Sequence, residues 1–517
     1  MRQIRILWVD DEVGVLRSHI LFLQEKGYET DTCPGGTDAI TMVQEKPYDI
    51  IFLDEYMPGL SGIETLRRIK ELKPSIPVVM ITKSEEEEIM DAAIGSQIAD
   101  YLIKPVKPQQ ILLSLKKILD LDSIVSRQTT SVFRGEFGSI TGMISEARNF
   151  EQWSELYRKL VFWQSELIRS SDTGMREVLR MQESDANRAF GRFIEKNYIK
   201  WLSPSATEKP LLSPAVMSKK VFPLIRKESP LFCIIIDNMR LDQWQSMAGD
   251  LASVLRTVTE ELYMSILPTA TQYSRNALFA GLMPAAISDS TPEYWISDHE
   301  DEGKNLFEDK LLARQLQRAG INGRWSYHKI RTEAEGRAVN KKMQYLMSND
   351  LNILVYNFVD MLSHARTEVD LIRDMTGDEA SWLTLTHTWF VHSPLIELLK
   401  HVASKGARVI FTTDHGSIRV NRPVKVIGDR LTSMNLRYKT GKNLDYNSKE
   451  VFEITDPARV GLPMTNISSK YIFARENDFL VYPNNFNQVV TYYKDSLQHG
   501  GISMQEMMLP LVYLEPV

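Results

Sequence analysis

The chain has 517 residues, 43% of them hydrophobic, with 61 Lys+Arg against 67 Asp+Glu. That length is too great for one core and fits about three domains of roughly 150 residues, while a formal charge of -6 argues against a protein that coats nucleic acid. Cys33 and Cys233 cannot build a disulfide framework, no apolar run approaches ~20 residues, and MRQIRILWVDDE turns acidic too early for a signal peptide. A reducing, cytoplasmic setting without membrane insertion is expected.

Residues 1–120 alternate short apolar strands with helical stretches, the pattern of a parallel, doubly wound α/β domain. The expected strands are IRILWV, YDIIFLD, PVVMIT and ADYLIKP. Asp10 and Asp11 end the first, Asp54 ends the second, Thr82 ends the third, and Lys104 follows the fourth. In such a sheet these residues gather at the carboxyl ends of the strands, where ligands bind. Three carboxylates there make a hard oxygen site suited to Mg²⁺. The metal neutralises a phosphoryl group arriving on one carboxylate, and Lys104 with Thr82 holds its oxygens.

From 121 to 205 the strand pattern gives way to helical spacing. Trp153, Leu156, Leu160, Trp163 and Leu167 line one helix face, and Phe190, Phe193, Asn197 and Trp201 repeat it, so a central helical bundle is expected. LSPSATEKPLLSP, residues 202–214, reads as a linker.

Residues 206–517 read as a larger α/β domain with strands LFCIIID, LNILVYNFVD and RVIFTTD. A mixed segment from about 425 to 498 interrupts it before the last strand, LPLVYLEP. Asp237, Asp360 and Asp414 are expected at strand ends, His415 beside Asp414, and His364 one helical turn beyond Asp360, where the two can hold one ion. His499 precedes two glycines that permit close backbone approach. Thr269 and Thr271 stand before a helix in SILPTATQYSRNALFAG, a place suited to meeting phosphate. Singly these residues read as caps and turns. Together they make two Zn²⁺-type sites, the arrangement that stabilises both attacking and leaving oxygens in phosphoryl transfer. RLTSMNLRYKTGKNLDY, with Arg430, Arg437, Tyr438, Lys439 and Lys442, interleaves basic and aromatic residues, which reads first as a solvated hairpin and second as a grip for a nucleotide-type ligand.

VDDE, FLDEYMPGLSG, MIT and IKP resemble the motifs of a response-regulator receiver over residues 1–120. The resemblance implies Asp54 as phosphate acceptor and Mg²⁺ on Asp10, Asp11, Asp54 and the Tyr56 carbonyl. It makes Tyr101 the aromatic switch beside Thr82 and Lys104. Lys83 departs from the small residue usual there. The ordered set Asp237, Thr271, Asp360, His364, Asp414, His415 and His499 is similar to the alkaline phosphatase superfamily, closest to its nucleotide pyrophosphatase/phosphodiesterase branch. That likeness implies one zinc on Asp237, Asp414, His415 and the Thr271 oxygen, and another on Asp360, His364 and His499. Thr271 is then the nucleophile, and Arg275 and Asn276 are candidates for substrate contact.

Receiver, helical middle and this last domain, in that order, resemble the PorX response regulators of Bacteroidetes, with a C-terminal PglZ domain. The likeness implies a sensor histidine kinase, a phosphorylation-dependent homodimer, and control of type IX secretion through a sigma factor or secretion component. A second reading makes the last domain a non-enzymatic interaction module with structural zinc. No DNA-binding motif is found.

Overall fold

The computed structural model describes residues 4–74, 76–83, 98–119, 121–170, 173–203, 205–296, 305–428, 432–464 and 468–517. Packing divides the chain into two units, Met1–Thr129 and Thr130–Val517.

In the first unit β1 (Arg5–Val9), β2 (Glu29–Cys33), β3 (Ile50–Asp54), β4 (Val78–Thr82) and β5 (Asp100–Ile103) form a parallel sheet in the order β2-β1-β3-β4-β5. β1, β3 and β4 are buried along nearly their whole length, which is why they read as unbroken apolar runs. β2, ETDTC, is absent from the expected strands. It lies at the sheet edge and is only partly buried, so selection for an apolar run is missing there. The strand order reverses at β1, and Asp10 and Asp54 stand at the carboxyl ends of β1 and β3 beside that switch point. The turn after β3 is tight. A Cβ on Gly62 would lie 2.5 Å from the Asp54 carbonyl oxygen, so glycine lets the helix Gly62–Leu72 begin against the end of β3. Ser61 and Glu64 close a reciprocal capping box on that helix.

The second unit is built on β6 (Leu231–Ile236), β7 (Leu255–Met264), β8 (Trp325–Ile330), β9 (Leu351–Tyr356), β10 (Arg408–Thr412) and the C-terminal strand Met508–Pro516. The order β10-β6-β9-β8 is parallel. The C-terminal strand runs antiparallel between β10 and β7. β6 and β9 are fully buried, as their β-branched, apolar composition demands.

The helices Leu121–Glu146, Phe150–Arg169 and Thr173–Trp201 make the helical middle. Phe150–Arg169 buries Trp153, Leu156, Leu160, Trp163 and Leu167, the face given by its spacing. These side chains share one core with Phe190 and with Ile234, Ile236 and Phe411 of the sheet, so the helices pack into the second unit. Truncating a side chain such as Trp153 there should cost about 3–5 kcal/mol. The stretch after Trp201 is less of a linker than its prolines suggest. Leu212 and Ser213 are buried, and the Leu211 carbonyl accepts from the Met264 N–H. Pro204 lies outside the described residues.

The interrupting segment forms small sheets, including Arg422–Ile427 with Asp478–Val481 and Tyr438–Gly441 with Lys470–Ala474 and Val451–Ile454. Here both sequence readings, a solvated hairpin and a ligand grip, are corrected at Arg437 and Lys439. Arg437 is fully buried in an ion pair with Glu506 at 2.6 Å, and Lys439 is 1% exposed with its Nζ 4.2 Å from the Tyr482 ring. Both serve the interior; Arg430 lies outside the described residues.

Candidate functional site

The first unit gathers Asp10, Asp11 and Asp54, with carboxylate oxygens within 4.8 Å of one another. Asp10 and Asp54 are buried, and Asp11 is exposed. The Lys104 Nζ reaches across them, 2.8 Å from Asp10 Oδ2 and 2.8 Å from Asp54 Oδ2. The other oxygen of Asp54, Oδ1, is buried without a hydrogen-bond partner among the described residues. Burial raises the Asp54 carboxyl above its ordinary pKa, against the pull of Lys104. Thr82 is buried at the end of β4 and Tyr101 is half-buried on β5. The Tyr56 side chain is exposed just beyond β3, and Lys83 is exposed beside Thr82.

In the second unit, Asp237 follows β6 directly and Asp414 and His415 follow β10. All three are essentially sealed from solvent. β9 ends at Tyr356, so the expectation of Asp360 at a strand end is corrected. It lies in the first turn of the helix Phe358–Glu368, one turn from His364. His364 sits 3.6 Å from Asp360 Oδ2, and His499 sits 3.7 Å from Asp360 Oδ1. Two clusters result, Asp237/Asp414/His415 and Asp360/His364/His499, each with ligand atoms within 4.8 Å of one another. The stacked rings of His415 and His499, 4.3 Å apart, join the two.

Which atoms remain free for a metal follows from the hydrogen bonds. Asp237 Oδ2 accepts from Arg275 at 2.8 Å and from Asn357 at 2.7 Å, leaving Oδ1 buried and unpartnered. Asp414 Oδ2 likewise has no hydrogen bond among the described residues, though the Arg275 Nε lies 3.5 Å from it. Both orphaned oxygens face His415 Nε2, at 3.6 and 3.7 Å. The Thr271 Oγ1 lies 2.9 Å from the same nitrogen, in the first turn of the helix Thr271–Ala280. The imidazole Nδ1 of His415 is 3.2 Å from the Gly416 carbonyl, which suits a donating Nδ1–H and a lone pair on Nε2. These oxygen and nitrogen donors, with carboxylate oxygens left bare inside the protein, fit zinc. Burial and the neighbouring Asp237 push the Asp360 carboxyl up to about 6. Burial, with His415 and His364 nearby, holds His499 well below the usual histidine range and hence neutral, as a ligand requires.

Asn238, Glu308 and Glu506, which the sequence reading leaves out, hold this arrangement together with Thr269 and the two glycines after His499. Asn238, at a φ of 64°, turns the chain after Asp237 and donates to Asp360 Oδ1 and Ser363. Its signal is an Asn after a strand-end Asp, a residue type that tolerates left-handed backbone. Glu308 pairs with Arg275 at 2.9 Å, from a helix with nothing in its sequence to announce it. Thr269 is buried, donating to the Gly501 carbonyl and accepting from the Gly500 N–H, so it ties the start of the Thr271 helix to the His499 loop. Glu506 secures that loop from below through the Gly501 N–H and Arg437. The glycines are needed: a Cβ on Gly501 would lie 2.6 Å from the Ala474 carbonyl oxygen.

One expectation fails. Arg275 is 1% exposed, behind the carboxylates, and pairs with Asp237 and Glu308. It braces the Asp237 and Asp414 carboxylates from a position sealed from solvent. Asn276 is buried on the same helix.

A receiver sheet with an acidic pocket, joined in one chain to an α/β domain with an Asp/His/Thr centre, is the arrangement of a response regulator with a phosphatase-like output domain. Comparison with protein families agrees: the response regulator receiver domain matches residues 6–116, the PorX response regulator linker domain 123–202, and the BREX system PglZ alkaline phosphatase-like domain 216–514. The chain belongs to the PglZ family, in the three-part order of PorX-type response regulators.

Among characterised proteins it is similar to the transcriptional regulatory protein ResD of Bacillus subtilis, 36% identical over 115 residues, 22% of this chain and 48% of ResD. The transcriptional regulatory protein ZraR of Escherichia coli O157:H7 is 33% identical over 137 residues, 26% of this chain and 31% of ZraR. The chain thus spans less than half the length of these relatives. Among solved structures, the chemotaxis protein CheY4 of Vibrio cholerae is 26% identical over 23% of this chain and 100% of its own, with a TM-score of 0.22. Among the described residues no helix is long and apolar enough to cross a membrane.

Proposed function

We propose that this chain is a cytoplasmic two-component regulator, phosphorylated on Asp54 by a sensor histidine kinase, whose PglZ domain is a zinc-dependent phosphodiesterase acting on a nucleotide- or oligonucleotide-type ester. The observation that carries the reading is the Thr271 hydroxyl at the start of a helix, 2.9 Å from His415 Nε2, the nitrogen that also lies 3.6 Å from Asp237 Oδ1 and 3.7 Å from Asp414 Oδ2. Asp237, Asp414, His415 and Thr271 would hold one zinc, and Asp360, His364 and His499 the other. Bound there, zinc supplies positive charge for the attacking and leaving oxygens and acidifies the Thr271 hydroxyl.

This chain's own residues do the rest. Thr271 Oγ1 loses its proton to solvent and bonds to phosphorus as the P–O bond to the ester breaks, the departing alcohol taking a proton from water; water then cleaves the phosphothreonine, releasing the phosphomonoester and restoring the hydroxyl. The amides at the start of the Thr271 helix point toward the phosphoryl oxygens. His415, fixed through its Nδ1, would turn Nε2 toward the zinc it shares with the Thr271 oxygen.

In the receiver, Asp10, Asp11, Asp54 and the Tyr56 carbonyl would hold Mg²⁺. Lys104 would move from Asp54 to the incoming phosphoryl oxygens, joined by Thr82, with Tyr101 turning inward. Phosphorylation would promote a homodimer, and the output would act on type IX secretion through a sigma factor or secretion component. The test is turnover of a panel of phosphomono- and diesters by zinc-loaded protein. Diester hydrolysis lost in Thr271→Val supports the reading. A parent protein with no metal-dependent turnover leaves only the interaction-module reading.

A further inference from the structure

A cleft of about 610 Å³ lies between the helices Phe150–Arg169 and Thr173–Trp201 on one side and the loops of the α/β domain on the other. Its size falls in the range of small-molecule sites. It is apart from the zinc ligands, yet its wall includes Arg240 beyond Asp237, Arg419 beyond His415, and Asp495 and Gln505 on either side of His499. A ligand there would touch the helical middle and all three loops that carry metal ligands.

The lining is acidic, seven carboxylates against three arginines. The arginines are already engaged. Arg240 pairs with Asp242 at 2.5 Å and Glu379 at 2.7 Å, Arg419 with Glu379 at 3.0 Å, and Arg180 with Glu177 at 3.3 Å. Glu183 has no ion pair among the described residues. Burial, with Glu379 and Asp242 nearby, pushes its carboxyl up to about 8 despite Arg240 and Arg180. A second observation is independent of these acids. Tyr157 lines the cleft, is 2% exposed, and its hydroxyl has no hydrogen-bond partner. A buried, unpartnered hydroxyl is costly and is normally satisfied.

We infer that this cleft is a binding site for a small aliphatic polyamine, with one ammonium on Glu183 and another within reach of the Tyr157 hydroxyl. An ammonium offers donors and no acceptor, so its charge would favour the ionised form of Glu183 that burial disfavours, and its N–H groups suit an oxygen lacking a partner. The elongated, flexible cation fits a cleft whose own cations are all committed. The position behind the metal loops makes it an effector site that senses the cell's cations, separate from the phosphoester centre.

The test is calorimetric titration of the zinc-loaded full chain with spermidine, using 1,8-octanediol as the neutral control. The expected result is saturable binding of one spermidine per chain, none of the diol, and affinity weakened about tenfold or more in Glu183→Gln, the size of one lost charge-assisted contact. Tyr157→Phe keeps the ring and its packing, and should weaken binding several-fold even if Glu183→Gln folds poorly. Absence of saturable binding in the parent overturns the inference. So does binding that Tyr157→Phe and a folded Glu183→Gln leave unchanged, which would mark adsorption to acidic surface. A lysine-rich peptide that binds here where spermidine does not would also overturn it.

Discussion

The two carboxylate sites of this chain differ in where they keep their protein cation. In the receiver, Lys104 lies across the mouth of the site, bonded to Asp10 and Asp54. In the PglZ domain, Arg275 is buried against Asp237, Asp414 and Glu308 together, and Asp237 Oδ1 is left without a hydrogen bond among the described residues. A flexible lysine in front is a placeholder that can move when a phosphoryl group arrives. A rigid, buried guanidinium behind fixes carboxylates for ions that stay. The first arrangement suits a reversible switch and the second a resident metal centre.

The largest expected effect breaks the second site at its nucleophile. Thr271→Val should lower turnover of a chromogenic phosphodiester by about 10³-fold or more, to background, while the protein still folds and the Asp360/His364/His499 site still fills. Thr269 sharpens the point. Two positions earlier in the same motif, it holds Gly500 and Gly501. Thr269→Val should therefore cost about 10–100-fold in turnover through loosened zinc binding, a loss that excess zinc partly restores. Rescue of Thr271→Val by zinc would reverse the two roles.

Next comes the cation behind the site. Arg275→Met leaves Asp237, Asp414 and Glu308 buried without it, and should destabilise the metal-free protein by about 3–5 kcal/mol in chemical denaturation. Zinc should recover much of that loss, since it binds only the folded site. An equal loss with and without zinc would mean that Arg275 supports packing alone.

The smallest effect concerns a cation with no carboxylate at all. Burial lowers Lys439 from 10.5 to about 7. Its folded pKa lies below the unfolded one, so the fold disfavours its charge; stability held back at pH 7 should return as pH rises toward 10.5. Lys439→Met should raise stability at pH 7 by on the order of 3 kcal/mol, offset in part by the lost Tyr482 contact, and the gain should fade near pH 10. Thermal melts at the two pH values check it.

Much of this molecule was legible in its sequence because strands buried on both faces must be continuously apolar. β1, β3, β4, β6 and β10 announce themselves, and with them the acids at their ends. β2 is an edge strand and leaves no such trace. Asp360 was misplaced onto a strand because LNILVYNFVD stays apolar past Tyr356, where the backbone has already turned into a helix. What sequence could not show is pairing between distant charges. Arg275, Arg437 and Lys439 look like surface cations, and only the fold reveals Glu308 and Glu506 beside two of them and an aromatic ring beside the third.

The resident-metal claim meets its most direct test in native mass spectrometry with metal analysis of the full chain, parent against Asp414→Ala. Two zinc ions per chain are expected in the parent, and one in the variant, held by Asp360, His364 and His499. A parent that binds no zinc after incubation with it, or an Asp414→Ala variant that still binds two, would contradict the assignment of these ligands.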